Sequence, residues 1–146
     1  MSRVACRFGM LKSFCEGHFS QGQLFLGQSL GSSNVINLST QLLCALANAH
    51  SSLAGACTHA CATRSSPGPI AESVQLSALD FLVESIQGPC LANCEVALNS
   101  RIAAAFNMYV RTEPYSFENP LLPSDISMSR LEKFCVFFQV ALPLPA

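Results

Sequence analysis

Eight cysteines and three histidines hold most of the chemical potential in this 146-residue sequence. Cys57-Thr58-His59-Ala60-Cys61 looks like a set of metal ligands, and Cys90 and Cys94 are spaced to complete it. On a helix, residues four apart share a face. A structural zinc site usually takes its thiolates from tight Cys-x-x-Cys turns, and neither pair has that spacing. The simpler reading is free thiols packed as small apolar side chains. No secretory signal is visible, so reduced cysteines are expected. Neither a metal nor any other cofactor is expected, although a metal or redox module on Cys57, His59, Cys61, Cys90 and Cys94 is a reading that metal analysis would settle.

Cys15-Glu16-Gly17-His18 places a thiol and an imidazole three residues apart at a helix end. A catalytic thiol also needs an orienting third group and an oxyanion site, and nothing nearby supplies them. His18 is better read as a partner for backbone carbonyls past the helix end. Glu72, Asp80 and Glu84 form an acidic strip. Paired acids can do acid–base work, but on an exposed helix face they are more often solvated. No cation partner for them is evident, which leaves a docking strip for a basic helix as the functional alternative. No phosphate loop, nucleophile elbow or His-Glu-x-x-His motif occurs, so no catalytic residues are assigned and the chain is not expected to be an enzyme.

Composition narrows the classes further. Half of the chain is apolar and 12% is charged, with 8 basic against 9 acidic residues. Intrinsic disorder needs the opposite balance. Nucleic-acid binding needs clustered Lys and Arg, so no nucleic-acid partner is expected. The longest stretch without charge, residues 17–63, is rich in Ser, Asn, Gln and His and does not read as a membrane span. The basic start (Arg3, Arg7, Lys12) has the look of an organellar presequence. An amphipathic helix with Val4, Phe8, Leu11 and Cys15 on one face accounts for it better.

Turn signals divide the chain into six helical segments, at about 4–16, 21–28, 35–62, 70–87, 90–110 and 127–141. Gly17 stops the first. Ser20 with Gln23, and Ser129 with Glu132, have capping-box spacing, and Asn34 is a candidate cap for the third. Three–four steps mark the expected inward faces. They are Val35, Leu38, Leu42, Leu46, Ala49, Leu53, Ala56 and Ala60 in the third helix, and Ile70, Val74, Leu79, Leu82, Val83 and Ile86 in the fourth. The fifth offers Leu91, Cys94, Leu98, Ile102, Ala105 and Tyr109, and the last Leu131, Phe134, Cys135 and Phe138. The expected fold is all-α: antiparallel helices forming an armadillo-like α-solenoid segment or a small helical bundle. Residues 1–111 read as the helical domain. Residues 112–146 read as a linker, a short amphipathic helix and a frayed tail.

Gln87-Gly88-Pro89-Cys90 reads as a helix–helix corner. Gly88 can take the left-handed conformation that closes a helix, and Pro89 forbids its continuation. Gln87 and Asn93 are placed to bond orphan backbone groups there.

Two segments, Met10 to Leu46 and Leu79 to Arg101, together resemble the associated domain of the ryanodine and inositol trisphosphate receptor homology region. Cys15-Glu16-Gly17-His18 stands where that family has Cys/Ser-Glu-Asn-His. Gln23-Leu24-Phe25-Leu26-Gly27 matches its Gln-Asn-aromatic-Leu-Arg element, without the Arg, and Asn37-Leu38 its Asn-aliphatic helix start. Glu84, Gln87-Gly88-Pro89-Cys90 and Asn93 match Glu-x-x-Gln-Gly-Pro-Cys-x-x-Asn-Gln, with Cys94 in place of the last Gln. The resemblance covers about residues 8–110.

It implies a cytosolic helical scaffold segment of a tetrameric calcium-release channel at the endoplasmic reticulum membrane, with neighbouring helical domains of the receptor as partners. The family's Arg/Lys-rich ligand pocket and pore helices have no counterpart here. This chain alone is therefore expected neither to bind inositol trisphosphate nor to conduct calcium. It is expected to be a fragment, a truncated reading frame or a small stand-alone relative. A free-standing adaptor that holds a partner helix is the alternative.

Overall fold

The computed structural model describes residues 2–28, 34–56, 69–87, 90–112 and 125–142. Within them the chain is all-α. Its helices are α1 (Arg3–Ser13), α2 (Ser20–Gly27), α3 (Val35–Ala56), α4 (Pro69–Ile86), α5 (Leu91–Leu98), α6 (Ile102–Thr112) and α7 (Asp125–Ala141). A 3₁₀ turn, Glu16–His18, separates α1 from α2.

Local chemistry sets several of these boundaries. Ser2 caps α1, its hydroxyl accepting from the Val4 amide at 3.2 Å. Gly17 sits at φ +69°, which turns the chain between α1 and α2. That conformation costs a side-chain-bearing residue about 1–2 kcal/mol. The Asn34 Oδ1 accepts from the Asn37 amide at 2.7 Å, as expected of a cap.

Helix α4 is the hub. α1, α3 and α7 all pack against it, and α6 packs along α3. Phe81, Leu79, Leu82 and Ile86 of α4 are fully buried, together with Ile36 and Leu43 of α3, Ile102 and Tyr109 of α6, and Phe134 and Phe137 of α7. Aromatic rings join the layers. Phe8 meets Phe81 at 5.9 Å between centroids, and Phe134 meets Phe106 and Tyr109 at 5.3 and 5.7 Å. A buried polar link runs through the same core. Arg130 lies over the Tyr109 ring at 5.3 Å and donates to Gln75 Oε1 at 2.8 Å.

Several expectations are corrected. The fifth helix is two helices. Its ladder ends at Asn99 and Ser100, whose amides turn back to Glu95 and Ala97, and the Ser100 hydroxyl also donates to Ala97. Side chains of this kind compete with the helix for backbone partners. The Cys44 thiol receives the turn by donating to the Arg101 carbonyl at 3.2 Å. α6 is thereby freed to follow α3.

The buried face of α3 is Ile36, Ser39, Thr40, Leu43, Cys44 and Ala47, one step round from the expected seam, and Leu38 is 50% exposed. Val4, Ile70, Leu91 and Cys135, expected inward, are exposed. Neither capping box forms. Ser20 is the first residue of α2 with Phe19 as its cap, and Ser129 lies inside α7. The expected third-helix positions beyond Ala56, and Gly88-Pro89, lie outside the described residues.

Candidate functional site

The end of a helix leaves its last carbonyls without intrahelical donors. At the end of α4, where Ser85 and Ile86 are buried, side chains from two other helices meet the carbonyls of residues 84–87 one after another. Gln23 Nε2, from α2, donates to the Glu84 carbonyl at 2.9 Å and to the Gln87 carbonyl at 2.6 Å. Asn93 Nδ2, from α5, donates to the Ser85 carbonyl at 2.9 Å. The Cys94 thiol points at the Ile86 carbonyl at 3.6 Å. Every carbonyl from residue 84 to residue 87 therefore has a side-chain donor. Asn93 Nδ2 also donates to the Gln23 carbonyl at 2.8 Å, which ties α2 to α5 directly. Gln23 and Asn93 are 0% and 1% exposed.

The donors suit the electrostatics. The C-terminal end of a helix carries partial negative charge, and amide NH₂ groups offer positive hydrogens without a full charge to desolvate. An orphaned buried carbonyl would cost about 1–3 kcal/mol, so the corner is held by the cost of opening it. Its close packing has a backbone condition. A Cβ at Gly27 would lie 2.9 Å from Asn93 Cγ and nearer still to Oδ1.

Cys15, fully buried, adjoins this corner. Its thiol is pushed up to about 11, first by burial, then by the Glu84 carboxylate and by Cys90. Burial likewise raises the Cys44 and Cys94 thiols. Thiols raised in this way stay protonated at neutral pH, and the thiol is the poor nucleophile of the pair.

Cys15, Glu84, Gln87, Cys90, Asn93 and Cys94 converge on the corner. Asn93 bonds orphan carbonyls as expected, whereas Gln87 contributes its own carbonyl as an acceptor. The sequence marks Gln23 as half of a capping box and as the first residue of the Gln-Asn-aromatic-Leu-Arg element, but neither assigns its partners, which lie more than 60 residues away. The acidic strip does have a cation: Asp80 pairs with Lys133 of α7, which corrects the expectation that nothing neutralises it. Cys57, His59 and Cys61 lie outside the described residues, as does the His18 side chain. Among the described residues no three His, Cys, Asp or Glu side chains come together as metal ligands, and no helix is long and apolar enough to cross a membrane.

No curated protein matches the chain, and no solved structure does. A family profile does match, over residues 1–110, and it spans α1 to α6 almost entire, with every residue of the corner inside it. The chain belongs to the family described as RyR and IP3R Homology associated.

Proposed function

We propose that the chain is a cytosolic helical scaffold segment of an intracellular calcium-release channel of the ryanodine or inositol trisphosphate receptor type. In this reading it forms neither pore nor ligand site and catalyses no reaction. It lies at the cytoplasmic face of the endoplasmic reticulum membrane, among neighbouring helical domains of a tetrameric receptor, and couples ligand binding to gating of calcium transport. The observation that carries the reading is the family match over residues 1–110; the coupling role is supported by the corner, where two amides, Gln23 and Asn93, bind the end of the hub helix α4 to α2 and α5. Packed elements joined in this way move as a body or rearrange in discrete steps. A shift of α2 is then delivered to α4, and through α4 to α1, α3 and α7.

The test grafts the whole chain, α7 included, into an inositol trisphosphate receptor in place of the matching segment, in cells lacking their own receptors. The graft is expected to support agonist-driven calcium release. Asn93→Ala in the graft is expected to leave ligand affinity and tetramer assembly intact while lowering release. Equal release with and without the substitution overturns the coupling role.

A second reading, a free-standing helical adaptor, is favoured by one observation: Val4 and Leu38, 42% and 50% exposed, line an open groove between α1 and α3. A stable, soluble, monomeric chain that captures a partner helix, together with a graft that fails to release calcium, would favour it over the channel segment.

A further inference from the structure

α1 and α3 both rest on α4 and leave a groove of about 250 Å³ between them. One wall is Val4, Phe8 and Leu11. The other is Val35, Leu38 and Leu42. Each set recurs at helical spacing over about two turns. Phe8 also meets Phe81 of α4, with 5.9 Å between ring centroids. On α3 this stripe borders the face that builds the core: Val35 and Leu42 are half-buried against it, and Leu38 between them is left exposed.

The chemistry of the walls specifies the occupant. Ser39 lines the groove, but its hydroxyl already donates to the Val35 carbonyl at 2.7 Å. Both walls are helices whose backbone bonds are closed within themselves. Nothing there can pair an extended peptide, so the occupant must satisfy its own backbone, which a helix does. The charge is one-sided. α1 carries no acid; Arg7 lines the groove, Arg3 lies one turn before it on the same flank, and neither has an ion-pair partner among the described residues, whereas Lys12, nine residues from Arg3, is on the opposite side of the helix. α3 carries no Lys, Arg, Asp or Glu at all.

We infer that this groove seats an amphipathic helix of a partner protein, with an apolar stripe between the walls and Asp or Glu along the flank that faces α1. The flank facing α3 is neutral. Helix-in-groove recognition works in this way, with anchors at i, i+3 or i+4, and i+7, and complementary charge fixes the direction and register. The surface is distinct from the amide corner, and the inference holds whether or not that corner relays movement.

The probe is a labelled synthetic helix of about 20 residues, long enough to be helical in solution, with Leu at i, i+3, i+4 and i+7. One version carries Glu along a single flank and another carries Lys there. Binding to the full chain is followed by fluorescence anisotropy. The Glu version is expected to bind better than the Lys version, and added salt to weaken it. Leu38→Asp is expected to lower affinity about tenfold or more, as for loss of a central anchor. Arg3→Glu with Arg7→Glu is expected to reverse the preference towards the Lys peptide. Should Leu38→Asp disturb the fold, Val4→Asp and amide hydrogen-exchange protection of residues 4–11 and 35–42 on peptide binding report the same contact.

Equal binding of the two peptides, or binding indifferent to both groove substitutions, overturns the inference. So does failure of the Glu peptide to bind. Concentration-dependent self-association abolished by Leu38→Asp would assign the groove to a second copy instead. Groove-dependent binding to vesicles of phosphatidylserine and phosphatidylcholine, with no peptide binding, would assign it to a membrane surface.

Discussion

Gly27 of α2 and Asn93 of α5 meet so closely that no side chain fits at residue 27. A Cβ there would fall 2.9 Å from Asn93 Cγ and nearer to Oδ1. The approach is useful because it lets the Asn93 amide reach the Gln23 carbonyl on one side and the Ser85 carbonyl on the other, at 2.8 and 2.9 Å. Gly27 is thus required by the space Asn93 occupies, and the corner depends on a residue that makes none of its hydrogen bonds.

Gly27→Ala is expected to destabilise the fold, although Ala is the better helix former by about 1 kcal/mol. The added methyl displaces an amide held by two buried bonds, at a cost of about 1–3 kcal/mol for each carbonyl left unmet. Urea unfolding at constant m-value checks this. In the Asn93→Ala background the same substitution is expected to be neutral or stabilising. That non-additivity marks direct contact.

Gln23→Leu keeps side-chain bulk but removes both donors to the Glu84 and Gln87 carbonyls. A loss of about 2–4 kcal/mol is expected from two stranded acceptors. Gln23→Glu is expected to be worse at neutral pH, because a carboxylate would face carbonyl oxygens. Denaturant midpoints at pH 5 and pH 7.5 should separate the two. The Glu variant gains stability towards acid, where its protonated form can donate, and the Leu variant does not show that gain.

Local pattern is enough to place the helices other than α5 and α6, the Gly17 stop and the Asn34 cap, because each depends on residues within one turn. It also singled out Gln87-Gly88-Pro89-Cys90 and Asn93 as a corner. It could not assign Gln23, since Ser20-x-x-Gln23 satisfies a capping pattern while the side chain serves α4. The α3 seam failed for a different reason. Val35, Leu38 and Leu42 form a true helical stripe, but that stripe lines the groove, and periodicity alone does not say which of two apolar faces is covered. At α5 and α6 the stripe ran through the Asn99-Ser100 break, because apolar spacing on either side of a turn can remain in phase.

Leu43 and Leu38 turn this distinction into a measurement. Leu43 is fully buried and Leu38 is 50% exposed. Leu43→Ala is expected to cost about 2–5 kcal/mol, as in other cores, and Leu38→Ala well under about 1 kcal/mol. Thermal unfolding of the two variants compares them directly. A larger loss at Leu38 would restore the seam read from the sequence.

The Asp80–Lys133 pair joins α4 to α7 at the surface, with its side chains 38% and 30% exposed. Exposed pairs contribute about 0–1 kcal/mol. Lys133→Ala is therefore expected to shift the urea midpoint far less than Asn93→Ala, and the shift is expected to shrink in about 1 M salt, where the screening length is about 3 Å. What holds α7 is the burial of Phe134 and Phe137.

Cys15 supplies a pH dependence whose sign follows from linkage. Its thiol titrates near 9.0 when unfolded and is pushed up to about 11 in the fold, by burial first and by Glu84 and Cys90 next. Below pH 9 both states hold the proton, and the stability is fully present. Between pH 9 and 11 the unfolded chain loses the proton while the folded one keeps it, so stability falls with rising pH, at most by about 1.4 kcal/mol per unit. Cys44 and Cys94, also raised, push in the same direction. Cys15→Ala lowers the whole curve by leaving a small cavity, yet it is expected to flatten the fall between pH 9 and 11, because one titrating group has gone. Unfolding free energies at intervals across that window, for wild type and variant, give the two slopes. Parallel curves would mean that Cys15 is not held protonated by the corner.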